Sequence, residues 1–370
     1  MIKAEISGVT ILRGYTHEEK ERIIEDTTLP NPAYENLKRL SLIWYLNQGG
    51  ENSLKFLKDL AKLETICLFL RLETKERILE FFQSFSLPKK VRTVIVRAEL
   101  ITQFDSNIAE IENFPQAFQD LELLETLSID FRSEYILYLL EDIILRICNR
   151  LSSPKSLSFG IGRLAPGPSL ANTNEINFLS FYKQLSLSSS KNLETLKLSF
   201  TNISLSGIKP ENLNFPNLKY LNLDGTILAP QNLDYILEAL HTSVKNVDLN
   251  KKIKEGLTIK LLPVQGSDGL QWFLNFLEKI ENFYSISICV RGSYRDEFIT
   301  EFLEIIPKLK KASKLKLNVL LMGSHIENMR KLGKELLKNQ SPFKMYITAQ
   351  DSFYYNPEHG ARINGRPVEN

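Results

Sequence analysis

The apolar and polar positions along the chain repeat one short pattern. Its clearest copies are Leu193-Glu-Thr-Leu196-Lys-Leu198 and Leu218-Lys-Tyr-Leu221-Asn-Leu223, 25 residues apart, each with an apolar residue five places further on, at Ile203 and Leu228. Alternation with a period of two predicts a short strand with its leucines on one face. Strands favour β-branched and aromatic residues, so Val, Ile, Phe and Met can stand in for Leu. On that basis the pattern recurs at Ile6-Val9-Ile11, Leu37-Leu40-Leu42, Leu63-Ile66-Leu68, Val91-Val94-Val96, Leu124-Leu127-Ile129, Val244-Val247-Leu249 and Phe283-Ile286-Ile288. Weaker copies begin at Pro154 (Leu157, Phe159), Ala312 (Leu315, Leu317) and Pro342 (Met345, Ile347). Successive starts lie 25 to 39 residues apart, mostly near 29, which leaves room for a helix between strands.

The intervening segments show helical periodicity over 18–28, 52–62, 74–85, 105–121, 134–149, 174–185, 231–241, 268–282, 294–309 and 326–338. Thr16-x-x-Glu19, Ser293-x-x-Asp296 and Ser324-x-x-Glu327 read as capping boxes. A doubly wound sheet would also alternate strand and helix, but its strands are long apolar runs with Gly-rich turns at their ends. The strands here read as short and strictly alternating. Two steps of 39 residues interrupt the rhythm. One holds a Gly/Pro-rich loop near 160–173. The other, near 250–269, holds Lys251, Lys252 and Lys254, then an apolar alternation at Leu257, Ile259 and Leu261.

The L-x-x-L-x-L spacing resembles the leucine-rich repeat family across residues 6 to about 350, most cleanly in the two copies given first. The long helical units look most like its ribonuclease-inhibitor-like subgroup. The resemblance implies an α/β leucine-rich repeat solenoid over residues 1–350, a horseshoe of about twelve irregular repeats. It puts a parallel β-sheet on the concave face and α-helices on the convex face. Residues 351–370 are expected to form a C-terminal cap through Phe353, Tyr354 and Tyr355, or a tail. Where many members place Asn or Cys after the strand, this chain has Thr201 and Thr226, and elsewhere Tyr45, Arg71, Glu99 and Arg132.

With 43% hydrophobic and 24% charged residues, the composition is that of a soluble globular chain. The net charge of +2 gives no general reason to expect nucleic acid as a partner. Residues 1–150 hold 19 Lys and Arg against 24 Asp and Glu, and residues 151–370 hold 27 against 20. That mild polarity either steers a partner along the length or reflects uneven use of solvated residues. Cys67, Cys148 and Cys289 fit neither a disulfide framework nor a zinc spacing, so reduced thiols in a cytoplasmic compartment are expected. The first residues do not read as a signal peptide, and no stretch is apolar and long enough for a membrane span.

The search for chemistry is largely negative. Gly160-x-Gly162 lacks the third glycine of a dinucleotide loop, and Pro166 and Pro168 occupy the expected helix start. No G-x-x-x-x-G-K-[ST], H-E-x-x-H or G-x-S-x-G is present. His17, His241, His325 and His359 stand alone, and the cysteines lack the Cys-x-Asp setting of bacterial ubiquitin-ligase effectors. No catalytic, metal or cofactor site is expected.

What remains is the sheet face opposite the leucines, whose residues alternation fixes. Trp44, Tyr45, Phe69, Arg97, Asp130, Lys197, Tyr220, Asn222, Asp224, Asp248, Lys316 and Tyr346 are the candidate partner-binding residues. Their aromatics suit anchors in a protein interface, and Trp44 suits a core role or a cap on the first repeat equally well. The set lacks the arginine–aromatic alternation of a nucleic-acid stacking surface. The expected role is a non-catalytic protein–protein interaction module, monomeric on its own, with the identity of the bound protein left open. The irregular spacing and Lys-, Asn- and Ile-rich composition resemble effectors of intracellular bacteria, which implies binding a host protein in the host cytosol. A substrate-recognition adaptor of a ubiquitin-ligase complex is the alternative. A third reading is an RNA or phosphate ligand held by Lys251, Lys252, Lys254, Lys314 and Lys316.

Overall fold

A computed structural model describes residues 38–46, 57–102 (except 59), 111–133 (except 120), 137–162, 175–229, 295–309, 315–321, 326–348 and 352–368, the backbone strands at 3–5, 8–11, 246–249 and 285–290, and a few isolated positions. It is a mixed α/β protein built on parallel strands. Two compact units divide the chain, residues 1–175 with 180–193, and 176–179 with 194–370.

The first unit opens with a hairpin, β1 (Lys3–Glu5) against β2 (Gly8–Ile11). β3 (Arg39–Leu46), β4 (Thr65–Leu72), α1 (Lys75–Ser84), β5 (Thr93–Leu100), α2 (Asn113–Gln116), β6 (Thr126–Ser133), α3 (Leu137–Arg150) and β7 (Ser156–Gly162) follow. Strands β2 to β7 pair in parallel, each with the next. β8 (Glu175–Asn177), α4 (Phe178–Gln184) and α5 (Leu187–Asn192) come next. The second unit carries β9 (Thr195–Ser204), β10 (Tyr220–Leu228), β11 (Asn246–Leu249), β12 (Ser285–Val290), α6 (Arg295–Ile305), β13 (Lys316–Leu321), α7 (Ile326–Lys338) and β14 (Lys344–Thr348). Here β9 to β14 are parallel, and β15 (Phe353–Asn356), β16 (Gly360–Ile363) and β17 (Arg366–Pro367) then run as an antiparallel meander from β14.

The register aligns the apolar triplets. Val9, Leu40, Ile66, Val94, Leu127 and Leu157 stand side by side in the first unit. Leu196, Leu221, Val247, Ile286, Leu317 and Met345 do so in the second. At five strand entries among the described residues one carbonyl accepts two N–H groups from the next strand. Lys38 O takes Glu64 N and Thr65 N (2.8 and 3.0 Å), Glu64 O takes Arg92 N and Thr93 N (2.8 and 3.0 Å), and Arg92 O takes Glu125 N and Thr126 N (2.8 and 2.9 Å). Glu125 O serves Lys155 N and Ser156 N (2.8 and 2.9 Å), and Glu194 O serves Lys219 N and Tyr220 N (2.8 and 3.1 Å). The side chains at these positions alternate in charge. Lys38 meets Glu64 at 3.4 Å, Arg92 meets Glu125 at 3.3 Å, and Lys155 meets Glu125 at 3.4 Å. Exposed ion pairs contribute about 0.2–1 kcal/mol each, so they reinforce a register that backbone and core already set.

The core lies on the leucine side. Leu68, Val96, Ile129 and Phe159 are at most 1% exposed, and each such side chain contributes about 1.5–3 kcal/mol on burial. In the first unit the helices cover this face through a phenylalanine cluster. Phe114 of α2 meets Phe81 and Phe82 of α1 and Phe85 just after it, with ring centroids 5.2, 5.3 and 4.7 Å apart, and Phe131 of β6 at 5.9 Å. The Thr74 hydroxyl accepts from Arg77 N at 3.4 Å and starts α1. In the second unit α7 buries Met329, Leu332 and Leu336 against the meander, and Tyr355 donates its buried hydroxyl to Ser341 O at 2.9 Å.

Several sequence expectations need correction. The strands are longer than the triplets, running eight residues in β4, β5 and β6, because the buried alternation continues through Leu70 and Leu72, Ala98 and Leu100, and Phe131 and Ser133. Ala312 is not the start of its strand pattern. Ile286 pairs with Leu317 rather than Leu315, a slip of two residues that leaves every side chain on its face. Ile203 pairs with Ile227 rather than Leu228, because β9 holds Phe200 and Thr201 opposite the single Gly225. A Cβ at Gly225 would lie 2.0 Å from the Phe200 carbonyl oxygen, so the bulge requires glycine. The helical period over 174–185 begins with β8, with Ile176 buried, and of the segment 105–121 only Asn113–Gln116 is α-helical among the described residues. Gly160 stands in the outward row opposite Asp130, yet it is buried. The segments 18–28 and 250–269, and the residues Thr16, Glu19, Ser293 and Ser324, lie outside the described residues.

Phe114→Ala removes the ring common to the cluster and is expected to destabilise the first unit by about 3–5 kcal/mol. Urea denaturation followed by circular dichroism measures it; a loss below about 1 kcal/mol would mean that the cluster does not anchor α2.

Candidate interaction surface

Across β4, β5 and β6 the register sets Phe69, Arg97 and Asp130 side by side, and Arg71, Glu99 and Arg132 two residues further on. Neighbouring strands are about 4.8 Å apart, so these six side chains share one patch. They line a groove of about 260 Å³ with Leu70 and Ala98 in its floor. The Arg97 guanidinium lies over the Phe69 ring, Cζ 5.5 Å from the centroid. Arg132 Nε stands 3.8 Å from Asp130 Oδ2, and Arg71 Nε is 3.0 Å from Glu73 Oε1. Burial raises the Asp130 carboxyl above its ordinary range, opposed by the positive charges of Arg132 and Arg97 and assisted by Glu99.

The second unit presents two cation–aromatic contacts on the same kind of face. Lys197 Nζ lies 5.4 Å from the Tyr220 ring centroid, and Lys316 Nζ 4.9 Å from that of Tyr346. Around the first, Asn222 Nδ2 donates to the Tyr220 hydroxyl at 3.3 Å and Ser199 Oγ donates to Asp224 Oδ2 at 3.2 Å. Beside the second, Tyr346 and Tyr354 rings are 4.7 Å apart, and Asn356 Nδ2 donates to the Tyr354 hydroxyl at 2.7 Å. Burial, and then the hydrogen bond with Tyr354, raise the Tyr346 hydroxyl. Such contacts contribute about 0.5–1 kcal/mol each at exposed sites, so they fix rotamers more than they stabilise the fold.

The structure brings Phe69, Arg97 and Asp130 together in one unit, and Lys197, Tyr220, Asn222 and Asp224 in the other. Lys316 and Tyr346 form a further cluster in that second unit. Tyr45 pairs with Arg71, in the outward row, whereas Trp44 pairs with Leu70, which is buried on the leucine side. The side chains of Trp44, Tyr45 and Asp248 lie outside the described residues, as do Lys251, Lys252, Lys254 and Lys314. Arg71, Glu99 and Arg132 belong to the groove although the short-strand reading placed them after the strand. Their signal was the continued alternation through Leu70, Ala98 and Phe131.

Ionisable groups elsewhere give no activated nucleophile among the described cysteines. Burial raises the Cys67 thiol despite Arg39, and raises the Cys148 thiol strongly, so both stay protonated and unreactive near neutral pH. Among the described residues no three His, Cys, Asp or Glu side chains converge on a metal position, and no helix is long and apolar enough to cross a membrane. No protein-family model matches the chain, and no curated protein matches it in sequence. The likeness to leucine-rich repeats therefore rests on this chain's own residues.

Among the described residues the most perturbed carboxyl is Glu141 on α3, pushed up to about 7 by burial and then by the negative charges of Glu175 and Asp142. A raised carboxyl favours the folded state while protonated. Its stabilisation is complete below the ordinary value of 4.5 and is lost as pH rises to about 7. Thermal melts of wild type and Glu141→Gln are expected to diverge across that window, the wild type losing ground; parallel melts would refute the assignment.

Proposed function

We propose that the chain is a non-catalytic protein-binding module of leucine-rich repeat type, a solenoid that recognises another protein through the outward face of its parallel strands. The observation carrying this reading is the register. Apolar triplets align on one side and are covered, so the residues between them form rows of polar and aromatic side chains on the other. The strand–helix alternation at steps near 29 residues supports it. Inert thiols favour binding over cysteine chemistry. The composition extends the reading to an effector of an intracellular bacterium acting on a host protein.

Two measurements test it. Affinity capture with wild type and with a folded Tyr220→Ala/Asp224→Lys variant is expected to lose partners in the variant, and identical partner sets would remove this face from recognition. Small-angle scattering is expected to give a radius of gyration clearly above the roughly 21 Å of a compact 370-residue chain; a value at that figure would exclude the solenoid.

A further inference from the structure

We infer that the groove between β4 and β6 takes a carboxylate side chain of the bound protein, an aspartate or glutamate flanked by an apolar residue, paired with Arg97. This rests on the protein-binding reading and names the chemistry one site would select.

The argument begins with the arginines. The lining holds three guanidiniums, Arg71, Arg97 and Arg132, against two carboxylates, Glu99 and Asp130. Arg71 is engaged by Glu73 at 3.0 Å and Arg132 by Asp130 at 3.8 Å. Arg97 has no carboxylate within 4.0 Å among the described residues; its contact is the Phe69 ring. A guanidinium whose Cζ is 5.5 Å from a ring centroid spends no N–H on a carboxylate there, so donors remain for a planar acceptor. Phe69 offers apolar surface nearby, which suits an apolar neighbour of the acid.

Size and charge narrow the occupant. At about 260 Å³ the groove falls below the roughly 300–1,000 Å³ of small-molecule sites and suits one or two side chains. Asp130 beside Arg97, and Glu99 between Arg71 and Arg132, would repel the second charge of a phosphate, so a single-charge carboxylate is favoured over a phosphorylated residue or a nucleic acid backbone. The same two acids would attract a cation, but Asp130 already has Arg97 beside it and Arg132 within ion-pair range.

Fluorescence anisotropy on the full chain tests this with three labelled peptides: Ala-Leu-Glu-Leu-Ala, its Gln counterpart, and its phosphoserine counterpart. The Glu peptide is expected to bind. Gln in its place, and Arg97→Gln in the protein, are each expected to weaken binding about tenfold or more, with Arg97→Lys between. The phosphoserine peptide is expected to bind no more tightly than the Glu peptide, and Asp130→Asn to narrow that gap. Circular dichroism confirms that each variant is folded. Equal binding of Glu and Gln peptides, no effect of Arg97→Gln, tighter phosphoserine binding, or no binding to about 1 mM would each overturn the inference. If the peptides show no preference while the Tyr220→Ala/Asp224→Lys variant still loses its captured partners, this inference falls and the wider reading stands. If the peptides discriminate but capture is unchanged by that variant and by Arg97→Gln, the groove binds carboxylates and the wider reading falls.

Discussion

One carbonyl oxygen accepts two successive N–H groups from the next strand, at Lys38, Glu64, Arg92 and Glu125 in the first unit and Glu194 in the second. A parallel pair could otherwise slide by two residues and still bury its leucines. The doubled acceptor marks where pairing starts, and the count of residues from there decides which outward side chains become neighbours. The Lys38–Glu64 and Arg92–Glu125–Lys155 ion pairs occupy the same positions. They are too exposed to set the register alone, but a slip of two would break them, setting Arg92 and Lys155 opposite leucines instead of Glu125.

From that origin the two faces diverge. The inward rows are nearly interchangeable in chemistry, as Ile66, Val94, Leu127 and Leu157 illustrate, because any well-packed apolar side chain serves there. The outward rows differ from strand to strand: Phe69, Arg97, Asp130 and Gly160 share one row and Arg71, Glu99, Arg132 and Gly162 the next. A core that tolerates substitution leaves those positions free to encode recognition. In the second unit the same geometry yields tyrosines held by lysines and asparagines, a different surface on the same scaffold.

The triplets made most of the register legible, because a buried face forces period-two alternation and a one-residue error would expose it. They misplaced β13 because Leu315, Leu317 and Val319 are all buried, and alternation cannot distinguish slips of two. They missed the β9 bulge, where the only sign was Gly225 among strand residues. Phe69, Arg97 and Asp130 were legible as neighbours because they hold the same place after the aligned leucines. Arg71, Glu99 and Arg132 were not, because their charge read as the end of the strand while Leu72, Leu100 and Ser133 carried it on. In the meander the consecutive Phe353-Tyr354-Tyr355 hid the alternation, although Asn364-Gly365, both with positive φ, is a strong hairpin turn signal.

The reversal of direction after β14 also determines what stands at this side of the sheet. A parallel strand at the side of a sheet offers a row of unpaired amides and carbonyls, the template on which chains join edge to edge. Here the row beside β14 is filled by β15, and the pairing passes through β16 to β17, two residues long and ending in Pro367, which has no N–H to give. An incoming strand finds little to pair with there. The limit on edge pairing at this margin is thus encoded in the backbone, while the rows of outward side chains stay free to vary.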